Sequence, residues 1–367
     1  MTAVTTRLTD AQGWIRQRRT WVLAAVFMFA LVYPYVARSY FLSLGIEILI
    51  FAIFAMSLDL LLGYTGLPSF GHAAFFGFGG YVLAYTASRS DLALNLTSNL
   101  LITIPLVVVS TSMIALLIGF FALRTAGIYF LMITLAFAQM LFSIAISWSS
   151  VTGGSDGIAQ VVRPTVGLGP LSYNFNSREA FYYLVLILFL LSWWLLHRIV
   201  NSPFGWTLRG IRENEQRMRA LGYNTFRFKI AAFVIAGAFA SVAGMLFVHF
   251  FRHAPPENLY WTMSGQVMIM LIVGGAGTLA GPILGATLIR LLPNFASSYT
   301  DRWETLLGVV FILFVLFAPK GIIGLLRAKQ KDSPLSLRQL VDLAKGGEKK
   351  SSAASAKSSP LDEDPTV

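Results

Sequence analysis

The sequence contains no cysteine, which excludes disulfide staples, thiolate metal sites and cysteine nucleophiles, and leaves the redox compartment unreadable. Charge is scarce as well. Asp, Glu, Lys and Arg make up 12% of the 367 residues against 56% hydrophobic, about half the charge of an ordinary globular domain, so water is not the main solvent of this chain. No Gly-x-x-x-x-Gly-Lys-Ser/Thr run occurs, and the glycine-rich stretch at Gly274 lacks the following lysine that would hold phosphates, so the chain is not expected to hydrolyse nucleotide. There is no His-Glu-x-x-His and no paired Asp-rich motif, and the four histidines, His72, His197, His249 and His253, are scattered. His249 and His253 have helical ligand spacing but fall across a span end beside Pro255 and Pro256. A metal centre or a membrane-embedded enzyme site is therefore not expected.

Long apolar runs are abundant. They recur from residue 21 to residue 326, each near the roughly 17 to 25 residues that cross a hydrocarbon core. The expected fold class is all-α: a polytopic transmembrane helical bundle of about 8–10 spans, some short or broken. Spans are expected near 21–37, 40–62, 70–87, 99–123, 126–147, 180–200, 229–251 and 304–326. Between the last two, residues 263–293 are apolar but interrupted by Gly274, Gly275, Gly277, Gly281 and Pro282, which fits two short or broken helices better than one rod. Arg16, Arg18 and Arg19 ahead of the first run resemble a signal peptide in charge, but the run is long and lacks a small-x-small cleavage site, so an uncleaved first helix is expected.

The formal net charge of +11 lies at span ends and in the tail and forms no stripe on a soluble surface, so nucleic acid is not an expected partner. The densest basic cluster between two spans, Arg209, Arg212, Arg217, Arg219, Arg227 and Lys229, should face the cytoplasm. Counting crossings from there puts the amino terminus, Arg124 and the group Arg327, Lys329 and Lys331 on the same side. The expected organisation is a cytoplasmic segment over 1–20, a transmembrane domain over 21–327 with a loop at about 201–229, and a disordered cytoplasmic tail over 328–367. The Gly- and Pro-rich stretch 148–178 then reads as a structured external loop.

Two glycine interruptions echo each other: Gly63-x-x-Gly66 followed by Gly71, and Gly274-x-x-Gly277 followed by Gly281. Such breaks permit close helix packing or line a solute path. The candidate path residues are Gly63, Thr65, Gly66, Ser69, His72, Gly274, Gly275 and Gly277, although His72 alone reads first as a hydrogen-bond partner between helices. Glu47 and Asp59 are intramembrane acids, twelve residues apart and on different faces, hence a poor proton relay; Asp59 is expected at a membrane interface. In the stretch Asn201–Gly222, Pro203 opens a helix and Gly222 closes another, while Leu208, Ile211 and Glu215 are expected to share one face of a knob for a cytoplasmic partner.

These stretches, together with Thr152–Ile158, Ala220-Leu-Gly222, Ala231–Gly244 and Gly274–Pro282, resemble in order the branched-chain amino acid ABC transporter permease family of the LivM type, over nearly all of residues 40–326. The resemblance implies a type II importer fold in the bacterial inner membrane and a non-enzymatic transport subunit, with ATP bound only in partner subunits. It implies a second related permease, two ATP-binding subunits and a periplasmic solute-binding protein as partners. Arg209, Arg212, Glu213, Glu215, Leu221 and Gly222 would then couple to the ATPase, and Gly153, Gly154 and Asp156 would meet the binding protein. Members also carry urea, amides or aromatic acids, so the substrate stays open. A rival reading is an ion-driven secondary carrier, which needs intramembrane acids or an ion site.

Overall fold

In the computed structural model the described residues are 28–168 and 171–296, with residues 305, 308, 309, 312, 316 and 321–324. The expected segments 1–20 and 328–367 lie outside them. The described residues up to Ile323 belong to one compact unit, and Gly324 is the sole described residue of a second.

After helical residues 28–36, α1 runs over Ser39–Asp59 and continues as a π-helical stretch, Leu60–Thr65. It is followed by α2 (His72–Ala87), α3 (Leu100–Ala122), α4 (Ile128–Ser147) and α5 (Arg178–Val200). Two short helices, α6 (Pro203–Glu213) and α7 (Glu215–Ala220), lead into α8 (Thr225–Phe251), and α9 (Trp261–Gly274) and α10 (Ala280–Ala296) complete the described set. Five helical stretches among the described residues are long and apolar enough to cross a bilayer. The spans expected at 40–62, 70–87, 99–123, 126–147, 180–200 and 229–251 match these elements within a few residues, and residues 28–36 of the span expected at 21–37 are helical while 21–27 lie outside the described residues. Only scattered residues of the span expected at 304–326 are described, and they are helical.

Lipid is the solvent these helices are built for. On α3 and α4, Leu101, Val109, Met113, Leu117, Tyr129 and Met132 are all exposed, an apolar surface too extensive for a protein bathed in water. The interior is held by close backbone approach. A Cβ on Gly244 would overlap the Phe76 carbonyl, and one on Gly79 would stand 2.6 Å from the Ser241 Cβ, so α2 and α8 meet at a seam of small residues.

One end of the bundle carries α6, α7 and Arg124. Here Ser202, Asn214 and Asn224 cap three successive helices, Asn214 accepting from the Arg217 N–H at 2.9 Å. The Asn214 cap splits the charged run in two. Leu208 and Ile211 are buried on α6, whereas Glu215 begins α7 and turns toward Lys229, so the single mixed face expected for Leu208, Ile211 and Glu215 does not form.

The opposite end is a loop face with a small antiparallel hairpin, β1 (Thr165–Leu168) and β2 (Leu171–Asn174), in the register Thr165↔Asn174 to Leu168↔Leu171. Bridges Ser88↔Val161, Asn99↔Thr165 and Ile158↔Ala254 stitch three loops together there. The loop around Gly153 to Gly157 is thus an ordered turn.

Helices α9 and α10 form a hairpin. The 14 residues of α9 reach only about 21 Å, short of a core about 30 Å thick. It starts beside the amino-terminal end of α2, where Ser264 meets the Ala73 N–H, turns at Gly275–Leu279 near the carboxyl-terminal end of α1, and α10 climbs back until Arg290 reaches Glu47 at 3.8 Å and lies 3.6 Å over the Phe51 ring.

Candidate functional site

The two glycine interruptions, far apart in sequence, meet in space. The carboxylate of Asp59, wholly buried in the last turn of α1, accepts the Gly277 N–H at 2.7 Å. Gly63 sits one turn further on, and the place of its missing Cβ is filled by Asp59 Oδ1 and the Gly277 backbone nitrogen. Gly277 itself has φ +80, the left-handed region that favours glycine. Asp59 is enclosed by protein: one carboxylate oxygen accepts an N–H that the broken helix leaves orphaned, and the other, Oδ2, is buried without a hydrogen-bond partner. The sequence marked it only as an ionisable residue in a span.

From the α6–α7 end, Arg212 reaches the same joint. One guanidinium nitrogen donates to the Gly63 carbonyl, and its stem covers the space beside Gly66. One turn earlier, Arg209 lies over the rings of Tyr64 at 5.1 Å and Trp206 at 4.6 Å. Two arginines thus clamp the π-helical end of α1 to α6.

The other residues of the expected coupling set divide. Glu215 gathers Arg219 at 2.6 Å, Lys229 at 2.8 Å and Thr225 at 3.0 Å on one oxygen, tying α7 to α8. Partial burial pushes its carboxyl up, but the hydrogen bonds from Lys229, Arg219 and Thr225 outweigh this and hold it below its ordinary value. Glu213, Leu221 and Gly222 are exposed, joined by Trp206, an aromatic surface residue the sequence reading passed over.

The expected path residues are placed differently from a simple lining. Thr65 Oγ1 donates to the Leu60 carbonyl at 2.8 Å, and Ser69 Oγ accepts the Gly71 N–H at 3.3 Å. His72 Nε2 stands 2.8 Å from Ser57 Oγ with its ring stacked on Phe54. All three side chains are buried, so they do not face a solute in this conformation; their polar groups are used to hold a non-helical segment in place. Gly274 and Gly275 are buried too, because a Cβ on Gly274 would overlap the Gly281 carbonyl across the hairpin. Ser264, not singled out from sequence, accepts the Ala73 N–H at 2.8 Å and so caps α2 from α9.

What faces outward is backbone. Gly66 and Ala276 are exposed, and Leu67, Pro68, Phe70, Gly277 and Thr278 are half-buried. Gly71 packs on the Thr134 carbonyl, six residues (134 − 128) into α4 and so roughly 9 Å inside that helix end. Open backbone at such depth is tolerated only against protein or water, never against lipid tails. On the loop face, Gly153 and Gly154 shape a turn with left-handed φ, and Asp156 is exposed at its tip. His249 is buried with Nδ1 3.1 Å from the Val162 carbonyl, fastening α8 to the same loop.

The family of branched-chain amino acid transport system permease components matches residues 40–318. The high-affinity branched-chain amino acid transport system permease protein LivM of Salmonella typhimurium is 26% identical over 328 residues, 84% of this chain and 76% of that protein. The probable LivM of Methanocaldococcus jannaschii is 26% identical over 326 residues, 78% of this chain and 90% of that protein. The LivH permease protein of Escherichia coli is 28% identical over 156 residues, 42% of this chain and 49% of that protein. No solved structure matches the chain. The match to most of the residues that form the bundle, with both broken helices inside it, makes this chain a member of the branched-chain amino acid permease family of transport systems.

Proposed function

We propose that this chain is the permease subunit of an ATP-driven bacterial importer and carries branched-chain amino acids or related small polar solutes across the inner membrane. The carrying observation is Arg212: a residue of the α6–α7 end donates directly to the carbonyl of Gly63, at the joint where two broken helices meet. A push on α6 by an ATP-hydrolysing partner is thereby delivered to the segments whose backbone is open at membrane depth. On this reading α6 and α7 project into the cytoplasm, where both termini lie, and Trp206, Glu213, Leu221 and Gly222 meet one of two ATP-binding subunits. ATP is bound there and not by this chain.

The solute path runs over Gly66–Phe70 and Ala276–Thr278, between this chain and a second permease that shields the same backbone from lipid. Relatives of both the LivM and LivH names support such a pairing. A periplasmic solute-binding protein would approach the loop face near Gly153, Gly154 and Asp156. Glu47 pairs with Arg290 and one oxygen of Asp59 holds the Gly277 N–H, which favours this reading over an ion-driven carrier; Asp59 Oδ2 has no hydrogen-bond partner.

The test is the double substitution Arg212→Ala, Glu213→Ala in the assembled complex in liposomes. ATP hydrolysis should persist while uptake falls severalfold or more. Uptake that stays coupled to ATP at the original ratio refutes the role given to Arg212.

A further inference from the structure

The loop face carries Arg38, Arg89, Arg163, Arg178 and Arg252, which the positive-inside bias does not explain if this face is the outer one. Three of them, Arg89, Arg163 and Arg252, line a single cavity of about 850 Å³ together with Gln160, Val162 and Asn176. Among the described residues no carboxylate lines it. Among the described residues none of these arginines forms an ion pair with Asp or Glu.

The fold goes to some cost to gather these charges. Arg252 closes α8 in the left-handed conformation (φ +59) and Gln160 adopts the same region (φ +60), so two of the three non-glycine residues with positive φ among the described residues line this cavity. Each such residue stores about 1–2 kcal/mol, and strain of this kind collects at ligand sites. The backbone is pinned in this shape: the Arg89 N–H donates to the Gln160 carbonyl at 3.3 Å and Arg252 Nε to the Val161 carbonyl at 3.3 Å. Arg163 lies 5.0 Å over the Phe181 ring, and its Nη1 is buried without a hydrogen-bond partner. Burial, then repulsion from Arg252 and Arg178, push its guanidinium below its ordinary pKa. A guanidinium offers donors in a planar fork that matches a carboxylate or phosphate, and an anion among the three arginines would both satisfy that nitrogen and cancel the repulsion.

The cavity stands where α2 ends, α5 begins and α8 ends, over the packed middle of the bundle and away from the outward apolar faces of α3 and α4. This position admits a molecule from water more readily than a lipid from the bilayer. We propose that it is a binding site for a small oxyanion, a carboxylate- or phosphate-bearing molecule taken from the aqueous side of the loop face. With no acid among the described residues of the lining to pair an ammonium group, it suits an anion better than a free zwitterionic amino acid, so the site is separate from the transport path.

The full chain in phosphatidylcholine nanodiscs is titrated with inorganic phosphate, acetate or leucine at constant ionic strength, with chloride as the balancing ion, and the thermal midpoint is followed. Phosphate or acetate should raise the midpoint saturably, beyond chloride and beyond leucine. Arg163→Gln, or Arg89→Gln with Arg252→Gln, should weaken the apparent affinity by about tenfold or more, the effect of losing a charged hydrogen bond. Should Arg163→Gln fail to fold, Arg89→Gln alone, at the cavity rim, carries the same comparison. In discs containing phosphatidylglycerol, stabilisation by the lipid that depends on the same arginines would keep the oxyanion chemistry and overturn the aqueous source. A response no larger than that to chloride in either disc, or one that survives the arginine substitutions, would overturn the site. Preference for leucine over acetate would overturn its separation from the transport path.

Discussion

Gly63→Ala is the sharpest probe of the joint between the two broken helices. An added Cβ falls on Asp59 Oδ1 and on the Gly277 backbone nitrogen, so the carboxylate has to swing away and the α9–α10 hairpin has to be pushed off α1. Swinging the carboxylate strands a buried N–H at a cost of about 1–3 kcal/mol, and the overlap with backbone adds about 1–3 kcal/mol of overpacking, for a total of about 4 kcal/mol. Gly222→Ala is the control: Gly222 has φ +88 but open space around it, so only the left-handed strain of about 1–2 kcal/mol applies. In nanodiscs the thermal midpoint of Gly63→Ala should fall at least about twice as far as that of Gly222→Ala, in proportion to those costs. Because the chain lacks cysteine, a single cysteine at Ala276, exposed at the hairpin turn, reports displacement through its rate of maleimide labelling. That rate should change in Gly63→Ala and not in Gly222→Ala. Asp59→Asn, which keeps an oxygen for Gly277, should behave more like the parent than Asp59→Ala does. Equal midpoints for the two glycine variants with unchanged labelling would mean that the breaks do not bear on each other, and the route from Arg212 into the bundle would fail with them.

Two further outcomes follow from side chains that hold the ends. Glu215→Ala strands the buried ammonium of Lys229 and should destabilise the α7–α8 contact by about 2 kcal/mol, less than a fully buried pair because Glu215 is partly solvated; faster tryptic cleavage after Arg217 and Arg219 is the readout. Since the folded carboxyl titrates below its unfolded value, this contribution is fully present above the unfolded value, about 4.3, and is lost as pH falls through the folded one, so the difference in thermal midpoint between the parent and Glu215→Ala should be constant from neutral pH down to about 5 and shrink below it. Ser264→Ala removes the cap that α9 lends to α2 and should lower stability by about 1 kcal/mol, seen as a small drop in thermal midpoint; no change would show that the Ala73 N–H finds another acceptor.

The bundle and its crossings were legible in the sequence because lipid demands long apolar runs and leaves basic residues at their ends, both of which are local properties. The interrupted hairpin over α9 and α10 was legible for the same reason, since Gly274, Gly275, Gly277 and Pro282 cannot sit in a straight span. Pairing was not. Nothing local tells that Asp59 serves Gly277, 218 residues away, or that Arg212 serves Gly63, because an orphaned N–H or carbonyl is satisfied by whatever the packing brings near. The same holds for the buried fates of Thr65, Ser69 and His72, polar side chains that read as path lining in isolation and act as internal fasteners once neighbours enclose them. It holds most of all for Arg89, Arg163 and Arg252, which come from three separate loops and become one cationic cavity only when β-bridges and helix ends bring those loops together. Composition and periodicity determined the solvent and the element type of this chain, and its ordered motifs carried the family resemblance; tertiary structure alone decided which polar groups are spent holding it together and which are left facing open space.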